Sequence, residues 1–589
     1  MRRADLPSLP PGSRCNGLEL LVMFLATTGI ALGQSPVQTL QTEEHSSTIR
    51  GTVVNAVTRT PISRAQVFSP DERFATLTDG EGHFEFVLPK STGGENRATE
   101  SQPTANIPIG LVARKPGYLE DPNAGSHAEA SVGSDVTISL LPEGLIQGRI
   151  VSSESDPAFG MNVELYSRQV QDGTLRWLQA GSARVNSNGE FRFAELQPGA
   201  YKLVTNEAMD NDPVTTIPGG QQYGFPPVFY PGVSDFAAAT AIQVAAGQTV
   251  QADIPLMRQP YYPVKIPVGN SEVANGFNVT VSVQGHRGPG YSLAFDPEHQ
   301  SIEGLLPRGS YEVEATNFGM SLVSGAVRLS VSGGPAEGPV LTLTPSSSIP
   351  VHVTEEFTSK GEQGSATWNV GGRNIPVRGP RVYLQVNAEP VDDFGQRNMP
   401  MLRPPTTPSE DALVLENIAP GRYWLRLHTS RGYVAAASMG GLDLLHQPFT
   451  VTSGSSSPID ITMRDDTAEL EGTVAGVGTQ GGFGSPDSPQ RGPGGSITGP
   501  RFLSPQAWIY CIPLPDSPGE FQQLWVSPEG KFISPNMAPG AYRIIAFKTQ
   551  HMNLPYHDAE AMRPYESAGQ VIHLSAGQKV SVQLQVASE

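Results

Sequence analysis

Cysteine is nearly absent from the 589 residues: Cys15 and Cys511 are the only two. Cys15 falls in an N-terminal stretch that reads as a leader. Cys511 is then left alone, which excludes an intramolecular disulfide and a cysteine-based zinc site. It sits in the alternating segment Ala507-Trp-Ile-Tyr-Cys-Ile512 and reads as a small buried hydrophobe. Charge is also scarce, at 16% of residues, and its balance is acidic, with a formal net charge of −18. Nucleic acid needs a basic surface and is excluded as a partner. Long apolar runs are missing beyond Leu20 to Leu32, which follows Arg2, Arg3 and Arg14. That run is shorter than the ~20 residues of a membrane helix and has the proportions of a secretory signal. Residues 1–33 are therefore expected to be a Sec-type signal peptide. The mature chain is expected to be secreted, periplasmic or at the cell surface, with no membrane span.

Glycine (63) and proline (53) are what the chain has in quantity. Such a composition suits short strands joined by many turns and argues against long helices. One stretch organises the rest: Phe191-Arg-Phe-Ala-Glu-Leu-Gln-Pro-Gly-Ala-Tyr201. It returns as Leu415 to Tyr423, with Pro420-Gly421, and as Phe532 to Tyr542, with Pro539-Gly540. A looser copy runs from Ile302 to Tyr311, and a fifth begins at Phe84-Glu-Phe-Val-Leu-Pro89. The prolines recur roughly every 110 residues, the length of one β-sandwich. The fold class is therefore all-β, a tandem array of about five Ig-like, prealbumin-like sandwiches. Alternation puts Phe191 and Phe193 on one strand face. Pro198 and Gly199 suit the two central positions of a type II turn, so the stretch is expected to be a hairpin. The tyrosines Tyr201, Tyr423 and Tyr542 should lead the inward face of the next strand, each hydroxyl reaching a partner at the rim.

The expected divisions follow from these copies. Residues 34–48 are a flexible linker. Sandwiches occupy 49–142, 143–258, 259–345, 346–464 and 465–589. In the first, a polar insertion at 90–106 replaces the Pro-Gly-x-Tyr turn. The last contains a loop at 476–505 rich in Gly, Pro and Ser. Phe229 to Ala239 and Tyr556 to Met562 each read as a short helical turn on a β unit.

Several motifs could carry chemistry. Gly476-Val-Gly-Thr-Gln-Gly481 matches the dinucleotide-binding glycine spacing, but further glycines and prolines follow where a helix is needed. His557-Asp-Ala-Glu560 has a zinc-peptidase spacing, with His551 or His573 as the nearby candidates for a third ligand. A solvated short helix is the plainer reading. Thr78-Asp-Gly-Glu-Gly82 lacks the alternating oxygen ligands of a calcium loop and reads as a turn. No cofactor and no metal is expected. Tyr223-Gly-Phe-Pro-Pro-Val-Phe-Tyr230, with Tyr261 and Tyr262 nearby, offers flat rings on irregular backbone. Tyr223, Phe225, Phe229, Tyr230, Tyr261 and Tyr262 are thus candidate ligand-binding residues for the apolar face of a sugar. The alternative is that they pack the junction of the second and third sandwiches.

Ile49-Arg-Gly-Thr-Val, Pro61-Ile-Ser-Arg-Ala-Gln-Val, Thr78-Asp-Gly-Glu-Gly-His-Phe-Glu-Phe and Arg114-Lys-Pro-Gly-Tyr118 resemble the carboxypeptidase regulatory-like domain, a transthyretin-like sandwich of about seven strands. The second and fifth sandwiches resemble it through their turns and closing strands, the third and fourth weakly. The whole chain resembles large exported multi-domain proteins of soil bacteria, Acidobacteria especially. The resemblance implies a structural or binding accessory module without catalysis, and its likeness to starch-binding-like domains favours carbohydrate. Its motifs are structural and carry over no functional residues. Three functions follow in order of expectation. The first is a non-enzymatic exported array that presents loops to a cell-envelope protein or other partner. The second is a polysaccharide-binding protein using the 223–230 rings, and the last is a metal-dependent hydrolase.

Overall fold

The computed structural model describes residues 48–87, 109–121, 128–130, 133, 135–152, 160–210, 220–270, 276–283, 290–317, 323–358, 366–370, 373–377, 384–391, 402–403, 413–429, 431–452, 457–475, 507–515, 517–527, 529–551 and 554–587. The expected leader, most of the linker, the 90–106 insertion and the 476–505 loop with its glycine motif lie outside them.

Five clusters of buried apolar side chains follow one another along the chain, within 49–140, 146–256, 264–343, 349–463 and 468–584. Each is the filling of a sandwich, and the same pairing opens every one. The first strand of a unit is antiparallel to the strand before the repeated turn and parallel to the unit's closing strand. In the first unit Thr48–Asn55 lies between His83–Val87 and Asp135–Pro142. In the second, Gly144–Ser152 lies between Glu190–Leu196 and the pair Thr249–Gln251 and Ile254–Leu256. Gln259–Gly269, Ser347–Glu356 and Ala468–Ala475 open the other three units in the same way. The fold is thus a tandem array of β-sandwiches, and the described residues hold one short α-helix, Ala559–Met562.

The repeated stretch is a corner and not the expected hairpin. Glu190–Leu196 pairs in one sheet, whereas Gly199–Thr205 pairs with Asn162–Gln171 and Ile242–Val244 in the other. Pro198-Gly199 carries the chain across the core. The left-handed residue is Glu195, at φ 57°, and its counterpart Asn417, at φ 62°. Gly199 and Gly421 are absent from the positive-φ residues, so a type II turn does not form there. What holds the corner is the tyrosine. Tyr201 Oη donates to the Gln197 carbonyl at 2.6 Å, and Tyr311 to that of Pro307 at 2.9 Å. Tyr423 and Tyr542 reach Ala419 and Ala538, each at 2.8 Å. All four span four residues, the geometry of a tyrosine corner. Gly421 lies beneath its own tyrosine ring: a Cβ there would meet Tyr423 Cε2 at 3.3 Å. At Gly540, φ is 150° and a Cβ would strike Ser517 Oγ.

A second repeated device separates the units. Gly51, Gly148 and Gly472 each lie opposite a phenylalanine: Phe84, Phe191 and Phe532. The ring lies on the glycine so closely that an added Cβ would come within 2.5–2.7 Å of its Cζ. In the third unit the equivalent pair is Ile266 and Ile302, and in the fourth Val351 and Leu413. The glycine-under-ring arrangement is there replaced by two buried aliphatic side chains. The third and fourth units therefore lack the glycine–phenylalanine signature of the other three.

The second sheet's outer face is covered in two units. In the second, Phe229, Phe236 and Ala239 pack on Tyr166 and Trp177. In the fifth, Leu554, Tyr556, Met562 and Tyr565 pack on Tyr510, Ile545 and Phe547. The residue after each corner tyrosine ties the cover down. Lys202 Nζ donates to the Phe236 carbonyl at 2.7 Å, and Arg543 to that of Tyr565 at 3.2 Å.

Candidate functional site

The six candidate rings do not form one platform. Gln222–Phe225 is a strand that extends the third unit's sheet, with Gln222 opposite Tyr261 and Tyr223 opposite Pro260. Phe225 and Tyr230 pack into the second unit's core. Phe229 belongs to the cover over that unit's second sheet, edge-on to Phe236 at 5.7 Å. Tyr261 is fully buried, and Tyr262 packs half-buried against the third core. Tyr223 is half-buried with the Arg258 guanidinium 4.2 Å over its ring. Phe225, Phe229 and Tyr261 therefore have no open face on which a sugar could stack. Tyr223, Tyr230 and Tyr262 keep partial exposure. The seam between the two units also holds Glu207. Its carboxylate accepts from the Ser292 amide at 3.0 Å, and burial raises its pKa.

The Thr78 to Gly82 segment is a turn between the two sheets. Asp79 Oδ1 accepts the amides of Glu81 and His83 at 2.9 and 2.8 Å, and the bond from His83 is the main cause of its lowered pKa. Asn186 does the same with Asn188 and Glu190, both at 2.9 Å. The acid is used as a turn cap. Cys511 is buried in the fifth core, and burial pushes its thiol up to about 12.

His557 takes part in a network of charged side chains. Its Nε2 accepts from Arg426 at 3.1 Å, and Asp558, the next residue, caps the short helix by accepting from Glu560 and Ala561. Arg426 also pairs through Nε with Glu389, and Glu389 accepts from Arg176 at 2.6 Å. The Arg176 and Glu389 side chains are only 8% and 5% exposed. This Arg-Glu-Arg triad joins the second unit to the fourth, and His557 adds the fifth. His557 keeps an exposed face, but desolvation by the surrounding units first, and then the Arg426 charge, lower its pKa. Sequence reading missed this junction, because Arg176 and Glu389 lie 213 residues apart. One signal did point to it. Asp172-Gly173 is a strong two-residue hairpin signature, and it forms the tip that reaches across.

One cluster of possible metal ligands occurs among the described residues: Asp296, His299 and Glu303. His299 Nδ1 lies 2.9 Å from Asp296 and 3.5 Å from Glu303. Glu303 is also paired with Lys265 at 3.2 Å and accepts from Ser301 at 2.6 Å, so its charge is already balanced.

No family model matches the chain, and no curated protein matches it in sequence. Solved structures similar to parts of it include the minor pilin of Streptococcus agalactiae, at 16% identity and TM-score 0.16, covering 35% of this chain and 94% of the pilin. A streptococcal ancillary pilin matches at 12% identity and TM-score 0.17, covering 50% and 99%. The pilus adhesin SpaC of Lactobacillus rhamnosus GG matches at 10% and 0.15, covering 51% and 43%. Scores this low bear on neither function nor partners.

Proposed function

We propose that the chain is a non-catalytic, exported scaffold of five sandwiches that presents its connecting loops to a partner at the cell envelope. One observation carries this reading: the residues with the most chemical promise are spent on holding the scaffold. Asp79 caps a turn, His557 is fixed by an arginine, and Cys511 fills a core. The tyrosines of the repeat close four corners. The resemblance of the first unit to the carboxypeptidase regulatory-like domain supports the same reading, as does the leader expected over 1–33. The test is a pull-down of the purified chain on isolated cell envelopes, with a panel of ester, peptide and glycoside substrates run beside it. Retention without turnover is expected. Turnover of any substrate, abolished by a metal chelator or by His557→Gln, would overturn the reading in favour of a hydrolase.

A further inference from the structure

The tip of the hairpin formed by Asn162–Gln171 and Thr174–Arg184 is built to be received. Asp172 and Gly173 take φ values of 47° and 74°, the left-handed pair of a tight two-residue turn. Such a tip on an isolated sandwich would stand in water. Here its backbone and side chains meet two other units. The Gly173 carbonyl accepts the His557 amide at 2.9 Å. Gly173 lies flat on the Tyr556 ring, where a Cβ would come within 2.5 Å of Cζ. Tyr556 is in turn stacked on Phe521, centroids 4.1 Å apart and planes 2° from parallel. Thr174 Oγ1 accepts from Arg426 at 3.4 Å. Behind the tip, Arg176 donates to Glu389 and to the Pro390 carbonyl at 2.6 and 2.9 Å.

The position of Glu389 explains what is being covered. It lies on Leu384–Pro390, beside Gly421–Thr429, and Arg426 projects from that second strand to meet it. This is the fourth unit's second sheet. In the second and fifth units the equivalent outer face is covered by the unit's own segment. In the fourth, the charged groups of that face are met by the hairpin tip from one side and by Tyr556-His557 from the other. A buried charge is stable only when paired and hydrogen-bonded. Glu389 keeps Arg426 of its own sheet in any case, but the buried Arg176–Glu389 pair exists only while the units are docked.

We propose that the Asp172-Gly173 tip, with Arg176 behind it, is a latch that closes the second unit onto the fourth and fifth. Those three units then move as one body, and the third is carried between them as a closed loop. The array is not a string of independently hinged sandwiches. This goes beyond the scaffold reading and does not depend on what the scaffold binds.

The test uses the full chain with Cys15→Ser and spin labels at Gln243→Cys and Gln583→Cys, exposed positions in the second and fifth units. Two variants probe the latch. Gly173→Asn keeps the turn, because asparagine tolerates the left-handed region, but drives its Cβ into Tyr556. Arg176→Met removes the charge and keeps the volume. Electron-electron distance measurements should give one narrow distribution for the parent. Both variants should give broad distributions shifted to longer distance. Hydrogen exchange in Gly144–Ser152 and Glu190–Leu196 should stay at parental rates, showing that the second sandwich is intact. A broad parental distribution, or a narrow parental distance kept in both variants, would overturn the latch.

Discussion

Replacing a corner tyrosine by phenylalanine removes one hydroxyl and leaves the ring in place. The cost depends on what becomes of the abandoned carbonyl. In the fifth unit Tyr542 is fully buried, and its acceptor belongs to Ala538, itself 4% exposed. Water cannot readily replace the lost donor, so Tyr542→Phe should cost about 1–3 kcal/mol, the penalty for a buried unsatisfied group. In the second unit the acceptor belongs to Gln197, which is exposed. Water can take over there, and Tyr201→Phe should cost only about 0.5–1.5 kcal/mol, the net value of an ordinary hydrogen bond. Tyr201→Ala removes the ring as well and should cost roughly 3–5 kcal/mol. Native-state hydrogen exchange read by mass spectrometry separates the two units, since Gly540–Phe547 and Gly199–Thr205 each report their own core. With each 1.4 kcal/mol worth tenfold, exchange should quicken about five- to 150-fold in Tyr542→Phe and about two- to tenfold in Tyr201→Phe. Equal costs, or a larger one at Tyr201, would refute the view that acceptor burial sets the energy of these corners.

Three further outcomes follow from the packing. A Cβ at Gly148 would meet the Ala252 carbonyl at 2.0 Å and Phe191 Cζ at 2.7 Å. Gly148→Ala should therefore destabilise the second unit by about 3 kcal/mol, the upper end for overpacking, and Phe191→Leu in the same chain should recover part of the loss in a urea titration. His557 is held neutral between Arg426, Glu389 and the hairpin tip with Asp172 and Arg176. Its folded pKa of about 4 lies below its ordinary 6.5, so its contribution to the junction is complete above that ordinary value and is lost as pH falls toward 4. Protection factors in Thr174–Arg184, taken against the intrinsic rate at each pH, should fall across that window and be flattened by His557→Gln; an unchanged profile in the variant would assign the acid sensitivity to another group. Cys511 should resist alkylation at pH 8 in the folded chain and react on unfolding, as followed by peptide mapping; fast reaction in the native state would contradict its burial.

Much of the architecture was legible in the chain. Period-two alternation in Phe191-Arg-Phe193 and its copies marked the strands, and the spacing of Pro198, Pro420 and Pro539 marked the repeat. The route between strands was not legible. Pro-Gly serves a hairpin and a crossing between sheets equally well, and only the tyrosine bond four residues back distinguishes them. The second strand's partner also lies far away in sequence, as Asn162–Gln171 does for Gly199–Thr205. The rings of Tyr223 to Tyr230 looked alike because burial is a tertiary property: one strand edge carries half-buried Tyr223 and buried Phe225 two residues apart. Arg176, Glu389 and Arg426 carried no local signal, since their pairing depends on how whole units dock.

The central claim is that the chemically conspicuous residues build the scaffold and do not act on a ligand. The measurement that tests it most directly is retention of the full chain and its Tyr223→Ala/Tyr262→Ala variant on isolated envelopes and insoluble polysaccharides. The account predicts equal retention for the two proteins on whichever surface binds. Retention on one polysaccharide, lost in the variant while its exchange pattern stays parental, would contradict it and make these rings a sugar site.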